Sequence, residues 1–200
     1  GGVKYAWMKE FYPAEFAQLK EYVKEGRWHI SGSSWDVNDV LVPSPESTIR
    51  NILLGQEYYR REFQTESTDI FLPDCFGFGW TLPTIASHCG LIGFSSQKLD
   101  WRVHPFYNGS KHPFTIGLWK GIDGSSIMLS HGYGYGERWN DVDLSENKDL
   151  FDLTKRTPLN TVYRYYGTGD VGGSPTIGSV RSVEKGIRGN GPLQIISVTS

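Results

Sequence analysis

From Pro13 to Gly26 the chain reads "PAEFAQLKEYVKEG", with Phe16, Leu19, Tyr22 and Val23 recurring every three or four positions among charged residues. That spacing places the four on one stripe and predicts an amphipathic helix, with Lys24 near its end and Gly26 as its stop. "PSPESTIRNILLGQEYYRREF" repeats the period over a longer span. Ser44 is placed to cap it and Pro45 suits the first helical position, while Ile49, Ile52, Leu53, Tyr59 and Phe63 are expected to face inward. Between these helices "WHIS" reads as a short strand, leaving into the glycine- and serine-rich loop "SGSSWDVND".

The period then changes. "DIFLP" is a continuous apolar run and reads as a buried strand. "TLPTIASHCG" reads as a helix capped by Thr81 and ended by Gly90, and "LIGFSS" as the next strand. Strand, helix and strand in that order imply parallel pairing. "FTIGLWKGIDGSSIMLSHGY" places apolar arms on both sides of an Asp123-Gly124 step, which predicts a hairpin. Periodicity is lost between about residues 134 and 155. From Leu159, "LNTVYRYYGTGDVGGSPT" reads as a further strand entering a glycine-rich loop. No internal repeat or low-complexity linker marks a domain boundary, so all 200 residues are expected to belong to one domain.

This alternation predicts an α/β fold, in which functional groups gather at the carboxyl ends of strands. Three acidic loops fall at such ends: one with Asp36 and Asp39, one with Asp74 and one with Asp170. Strands of one parallel sheet would bring all three to a single face. An Asp after a strand and a proline is by itself a common turn former. The residues after Asp74 strengthen its candidacy, because "CFGFGW" offers Gly77 and Gly79 for close backbone approach, flanked by Phe76, Phe78 and Trp80 to exclude water.

Composition narrows the partners. A net charge of -2 with thinly spread Lys and Arg gives no basic stripe, so neither nucleic acid nor an anionic membrane is expected. No run approaches the roughly 20 apolar residues of a membrane helix. The start "GGVKYAWMKE" has neither an initiator Met nor a hydrophobic signal core, as an internal fragment would. Cys75 and Cys89 form no metal-ligand pattern and are expected to be reduced and buried. Gly167, Gly169 and Gly172 match G-x-G-x-x-G, but Asp170 would set a negative charge against a pyrophosphate and Pro175 interrupts the helix such a turn needs. None of His29, His88, His104, His112 and His131 is followed by a second His or an acid two, three or four positions on, so a metal site complete within the chain is not expected.

Several blocks together resemble the retaining α-mannosidases of glycoside hydrolase family 38: "SSWDVNDVLVPSPES", "LLGQEYY", "FLPDCFGFGWTLPTI", "FSSQKLDW", "LWKGIDGS" and "YGTGDVGGSPT". The resemblance covers about residues 5 to 180 and implies a partial seven-stranded (β/α) barrel from that family's N-terminal catalytic domain. It implies hydrolysis of terminal α-mannosidic bonds in a glycan substrate, with Asp74 as nucleophile and zinc ligand and Asp170 as acid/base. Asp39, Lys98, Trp35 and Trp119 fall on substrate-pocket positions. A cation at Lys98 would help keep a nearby carboxylate ionised. The remaining zinc ligands, a His-x-Asp block and a later histidine, are absent from the chain. Val37, Leu41 and Pro45 stand where some relatives carry Glu, Asn and Gly. A fragment of this kind is expected to be inactive alone and prone to self-association. A non-catalytic carbohydrate-binding protein and a nucleotide-binding α/β domain are the alternatives.

Overall fold

The computed structural model describes residues 1–37, 39–98, 116–131, 136–155, 157, 159–169, 171 and 173–198. They divide into two compact units, one of Gly1–Ser95 with Leu118–Leu129 and one of Ser96–Gly117 with Ser130–Val198.

The first unit opens with three helices, α1 (Gly2–Phe11), α2 (Pro13–Lys24) and α3 (Pro45–Phe63). The sequence pattern anticipates α2 and α3 but not α1, whose Trp7 and Phe11 remain exposed and blur its stripe. Ser44 caps α3 as expected, its Oγ accepting the Ser47 N–H at 3.2 Å, and Pro45 occupies the first turn, where no helical donor is lost. Phe16 and Leu19 of α2 meet Tyr58, Tyr59 and Phe63 of α3 and Ile30 in a buried cluster, with Tyr5, Ala6 and Met8 of α1 packed against it. Tyr5 stands edge-on to Phe63 at 5.2 Å and to Tyr59 at 6.1 Å, an arrangement that opposes ring edge to ring face. Lys9 of α1 closes on the buried Glu62 of α3 at 2.8 Å.

Leu53 does not face inward as expected, but is 51% exposed. The buried face of α3 runs through Thr48, Ile52, Gly55, Gln56 and Tyr59, and Leu53 lies about 100° round the helix from Ile52. Gln56 contributes by fixing the next segment, donating to the Ser67 carbonyl at 2.6 Å and accepting the Ser67 N–H at 3.0 Å.

The sheet consists of β1 (Asp69–Phe71), β2 (Gly93–Ser96), β3 (Ile116–Lys120) and β4 (Ser126–His131), in the order β1-β2-β4-β3. β1 and β2 are parallel, with Ile70 opposite Phe94, and are joined by α4 (Leu82–His88), as the strand-helix-strand pattern predicts. Thr81 precedes α4 but makes no side-chain cap, because its own backbone is already helical. Gly90 ends the turn at φ 78°, where a side chain would be strained. β3 and β4 form the anticipated hairpin, with Gly124 at φ 85°.

The expected strand at "WHIS" does not form. Ser31 Oγ and the Gly32 N–H instead donate to the Asp69 carboxylate, and Gly32 turns the chain at φ 74°. One backbone bond, from Ser33 N–H to the Asp69 carbonyl at 3.1 Å, ties this segment to β1. Cys75 and Cys89 form no disulfide, and they are half-buried rather than buried.

In the second unit a 3-10 turn (Leu144–Glu146) leads into α5 (Lys148–Thr154), and α6 (Ile177–Arg188) follows the glycine-rich segment. Thr176 caps α6 by accepting the Ser179 N–H at 3.2 Å. Its buried face carries Ser179, Ser182, Val183 and Gly186, and the two serine hydroxyls accept the Trp139 and Val142 N–H groups. The strand expected from Leu159 is absent among the described residues, which run irregularly up to an isolated antiparallel bridge between Thr168 and Gly173. Arg164 forms an ion pair with Glu137 instead of entering a ladder.

Candidate active site

The stretch around Asp74 continues directly from β1. Leu72 N–H donates to the Ser95 carbonyl at 3.1 Å, the last rung beside β2, and Pro73 then ends the pairing because it has no N–H. Asp74 therefore emerges exposed at the carboxyl end of the strand. The chain runs through Cys75, Phe76, Gly77, Phe78, Gly79 and Trp80 before α4 begins. Phe78 anchors this loop from below: its ring stands edge-on to the buried Phe94 of β2 at 4.9 Å and to Trp119 of β3 at 6.4 Å. Phe94 and Trp119 meet each other at 5.2 Å.

A second acidic loop lies along the first. Asp39 Oδ1 accepts the Leu41 N–H at 2.8 Å and the Val42 N–H at 3.3 Å, folding residues 39–42 into a turn held by its own side chain. Leu41 then presses on Gly77, where a Cβ would come within 2.6 Å of Leu41 Cδ1. Cys75 registers both acids. Burial pushes its thiol above the ordinary range, and the Asp39 and Asp74 carboxylates raise it further by opposing a thiolate. Around the acids Val42, Phe76 and Trp80 stand exposed at 85%, 72% and 83%, forming an apolar rim.

Trp35 is half-buried, edge-on to Tyr58 at 5.4 Å, and its N–H donates to the Asn51 carbonyl of α3. Trp119 is occupied by the two phenylalanines. Lys98 comes after β2 in the second unit, its backbone N–H donating to Ser96 Oγ at 3.0 Å. Asp170, His104 and His112 lie outside the described residues. His131 is buried at the end of β4, and His88 lies exposed at the end of α4. Among the described residues no three His, Cys, Asp or Glu side chains cluster as a metal site would require.

The sequence reading missed two features near Asp74. One is the contact of Leu41 with Gly77, between positions too far apart for local spacing to reveal. The other is the pair of His88 and Asp123, 2.8 Å apart, which joins α4 to the β3–β4 turn across a separation that no local spacing reveals.

The model of the glycosyl hydrolases family 38 N-terminal domain matches residues 3–189. The chain belongs to glycosyl hydrolase family 38. Within that family it is 37% identical to alpha-mannosidase G of Dictyostelium discoideum over 181 residues, covering 86% of this chain and 16% of that protein. It is 31% identical to alpha-mannosidase 2C1 of Mus musculus over 172 residues, covering 85% of this chain and again 16% of the relative. The family 38 chain thus spans about a sixth of the length of these relatives. An alpha-mannosidase from Enterococcus faecalis V583 shares the fold with a TM-score of 0.63 at 20% identity, over 90% of this chain and 20% of that one.

Proposed function

We propose that this chain forms part of the active site of an enzyme that hydrolyses terminal α-mannosidic bonds in glycans, within one α/β catalytic domain built as a seven-stranded barrel. The observation that carries the reading is Asp74, exposed at the end of β1 with Asp39 beside the same thiol, in a chain 37% identical to an alpha-mannosidase.

Two carboxyl groups about 5 Å apart suffice for hydrolysis with retention. Asp74 attacks the anomeric carbon, and the C–O bond to the leaving sugar breaks as Asp170 delivers its proton to that oxygen. Water, deprotonated by Asp170, then attacks the glycosyl-aspartate and releases mannose with Asp74 restored. Asp39, Lys98, Trp35 and Trp119 are assigned to the pocket by resemblance, with Asp39 accepting sugar hydroxyl hydrogen bonds. The rim of Phe76, Trp80 and Val42 supplies apolar surface for the faces of sugar rings.

Zinc is proposed on the same resemblance, with Asp74 offering it an oxygen. No three ligating side chains cluster among the described residues, so the further ligands such a site requires would come from elsewhere in the complete enzyme.

The test uses the complete enzyme. Asp74→Asn should lower turnover of an aryl α-mannoside by about four orders of magnitude or more, the scale at which loss of a nucleophile acts. Near-normal hydrolysis would remove Asp74 from the reaction. Asp170→Asn should slow natural mannosides far more than activated aryl mannosides, and an equal loss on both would exclude the acid role. Proton NMR of the first-formed sugar should show the α-anomer, whereas the β-anomer would overturn retention.

A further inference from the structure

The β3–β4 hairpin touches the Asp74 segment at two places. At one, Trp119 of β3 meets Phe78, four residues after Asp74, with the buried Phe94 completing the three-ring cluster. At the other, Asp123 in the hairpin turn reaches α4, the helix into which the Asp74 loop feeds. Its Oδ1 accepts from Thr84 Oγ1 at 2.8 Å, and its Oδ2 lies 2.8 Å from His88 Nε2. The same carboxylate is fixed from behind by Ser125, whose Oγ donates at 2.6 Å and N–H at 3.1 Å. These bonds, first those from Ser125 and then those from His88 and Thr84, hold the Asp123 carboxyl well below its usual range.

Close packing keeps the turn seated. A Cβ at Gly121 would strike Thr84 Oγ1 and lie 3.0 Å from both Asp123 Oδ1 and Ser125 Oγ, so only glycine permits this approach. The turn is closed independently by Gly121 N–H to the Ser125 carbonyl at 2.8 Å. Gripped at Phe78 in the loop and at Thr84 and His88 in the helix, the segment from Asp74 to His88 has little freedom to slide along the sheet.

We infer that the β3–β4 hairpin positions the Asp74 loop, with Trp119 and Asp123 as positioning residues that act through Phe78 and through Thr84 and His88. This rests on the assignment of Asp74 as nucleophile. It gives Trp119 a role that requires no sugar contact, since its ring is already engaged by Phe78 and Phe94. A displacement of about 1 Å in a reacting group can lower turnover by up to about a hundredfold, so a modest loosening of either grip should be visible in kcat.

The experiment compares three variants of the complete enzyme: Trp119→Ala, Trp119→Phe, and Thr84→Val combined with His88→Leu. The third leaves the hairpin and the aromatic cluster intact and alters only side chains at the surface of α4, so it guards against a variant that fails to fold. With an aryl α-mannoside, Trp119→Ala and the double variant should lower kcat by roughly tenfold or more with KM within about twofold, and Trp119→Phe should recover most of the loss. A rise in KM at unchanged kcat in Trp119→Ala would make it a sugar-binding residue and overturn the inference. Hydrogen exchange separates this outcome from failure of the mannosidase reading, because it requires no turnover. Amides from Cys75 to His88 should exchange faster in both weakened variants, and unchanged exchange would overturn the inference whatever the enzyme hydrolyses.

Discussion

At the residue scale, Cys75 reports on the two acids that flank it. A thiolate there is opposed by burial and then by Asp39 and Asp74, so the thiol holds its proton above the ordinary range. Alkylation needs the thiolate, and an ordinary cysteine ionises near pH 8.5. Iodoacetamide should therefore label Cys75 slowly at pH 7.5, with a rate that climbs only at higher pH. Asp39→Asn or Asp74→Asn removes one opposing charge, which lowers the thiol pKa and should move the rate profile toward neutral pH. Mass spectrometry of the peptide containing residues 70–83 measures this. A profile unmoved by both substitutions would show that the carboxylates do not face the thiol.

At the element scale, the helix α1 brings Tyr5 onto Tyr59 of α3, and Tyr58 lies beside them in the same cluster. Burial pushes all three phenols up, Tyr58 to about 12. Below about pH 10 both the folded and the unfolded chain keep these protons, and the stabilisation is complete. Above it the unfolded chain releases protons that the folded chain retains, so stability falls as pH rises from about 10 toward 12. Thermal melts followed by circular dichroism should show a midpoint that drops across this window, with a shallower drop in Tyr58→Phe. An unchanged slope in that variant would place the alkaline sensitivity elsewhere.

The same elements show what a linear pattern can and cannot reveal. α2, α3 and α4 and the four strands were legible because their signals are local: a serine followed by a proline, a run of three apolar residues, an Asp-Gly step between apolar arms. α1 was missed because Trp7 and Phe11 are exposed on what should be its polar side. α6 was missed because its buried face is built largely from the small residues Ser179, Ser182 and Gly186, with the two serine hydroxyls accepting N–H groups from a neighbouring segment rather than filling a core. Its cap at Thr176 and the apolar spacing of Ile177, Val180, Val183 and Ile187 were nonetheless available signals. "WHIS" has strand propensity, but the segment turns at Gly32, and the Ser31 hydroxyl and Gly32 N–H bond to the Asp69 side chain rather than joining a ladder. For the site, position after a strand and a proline made Asp74 only a candidate, strengthened by the glycines and aromatic residues that follow it, and its assignment as nucleophile rests on the family resemblance. The partnership of Asp39, Leu41, Trp119 and Asp123 with its loop depends on approaches between residues 35 to 45 apart in sequence, which spacing alone does not encode.

At the scale of the whole molecule, each unit leaves large side chains in solvent that a complete enzyme would be expected to cover. The first exposes Val42, Trp80, Ile92, Leu118 and Ile122 at 66% or more, and the second exposes Val171 and Ile177. Among the described strands β1 and β3 are the outermost, and an open edge offers unpaired N–H and carbonyl groups to another chain. Leu118 lies on β3 at 66% exposure, setting an apolar side chain on the outermost described strand. The chain corresponds to only 16% of the length of its mannosidase relatives. The 200-residue chain by itself should therefore self-associate. Light scattering during gel filtration should give a mass above the 22.6 kDa of one chain, rising with concentration. Leu118→Lys places a charge on the edge strand and should shift the population toward monomer, since edge lysines oppose strand-to-strand pairing. A wild-type mass of one chain at all concentrations would mean that these surfaces are too dispersed to drive association. A mass unchanged by Leu118→Lys would move the contact away from β3, leaving the exposed rim around Trp80 as the next surface to test.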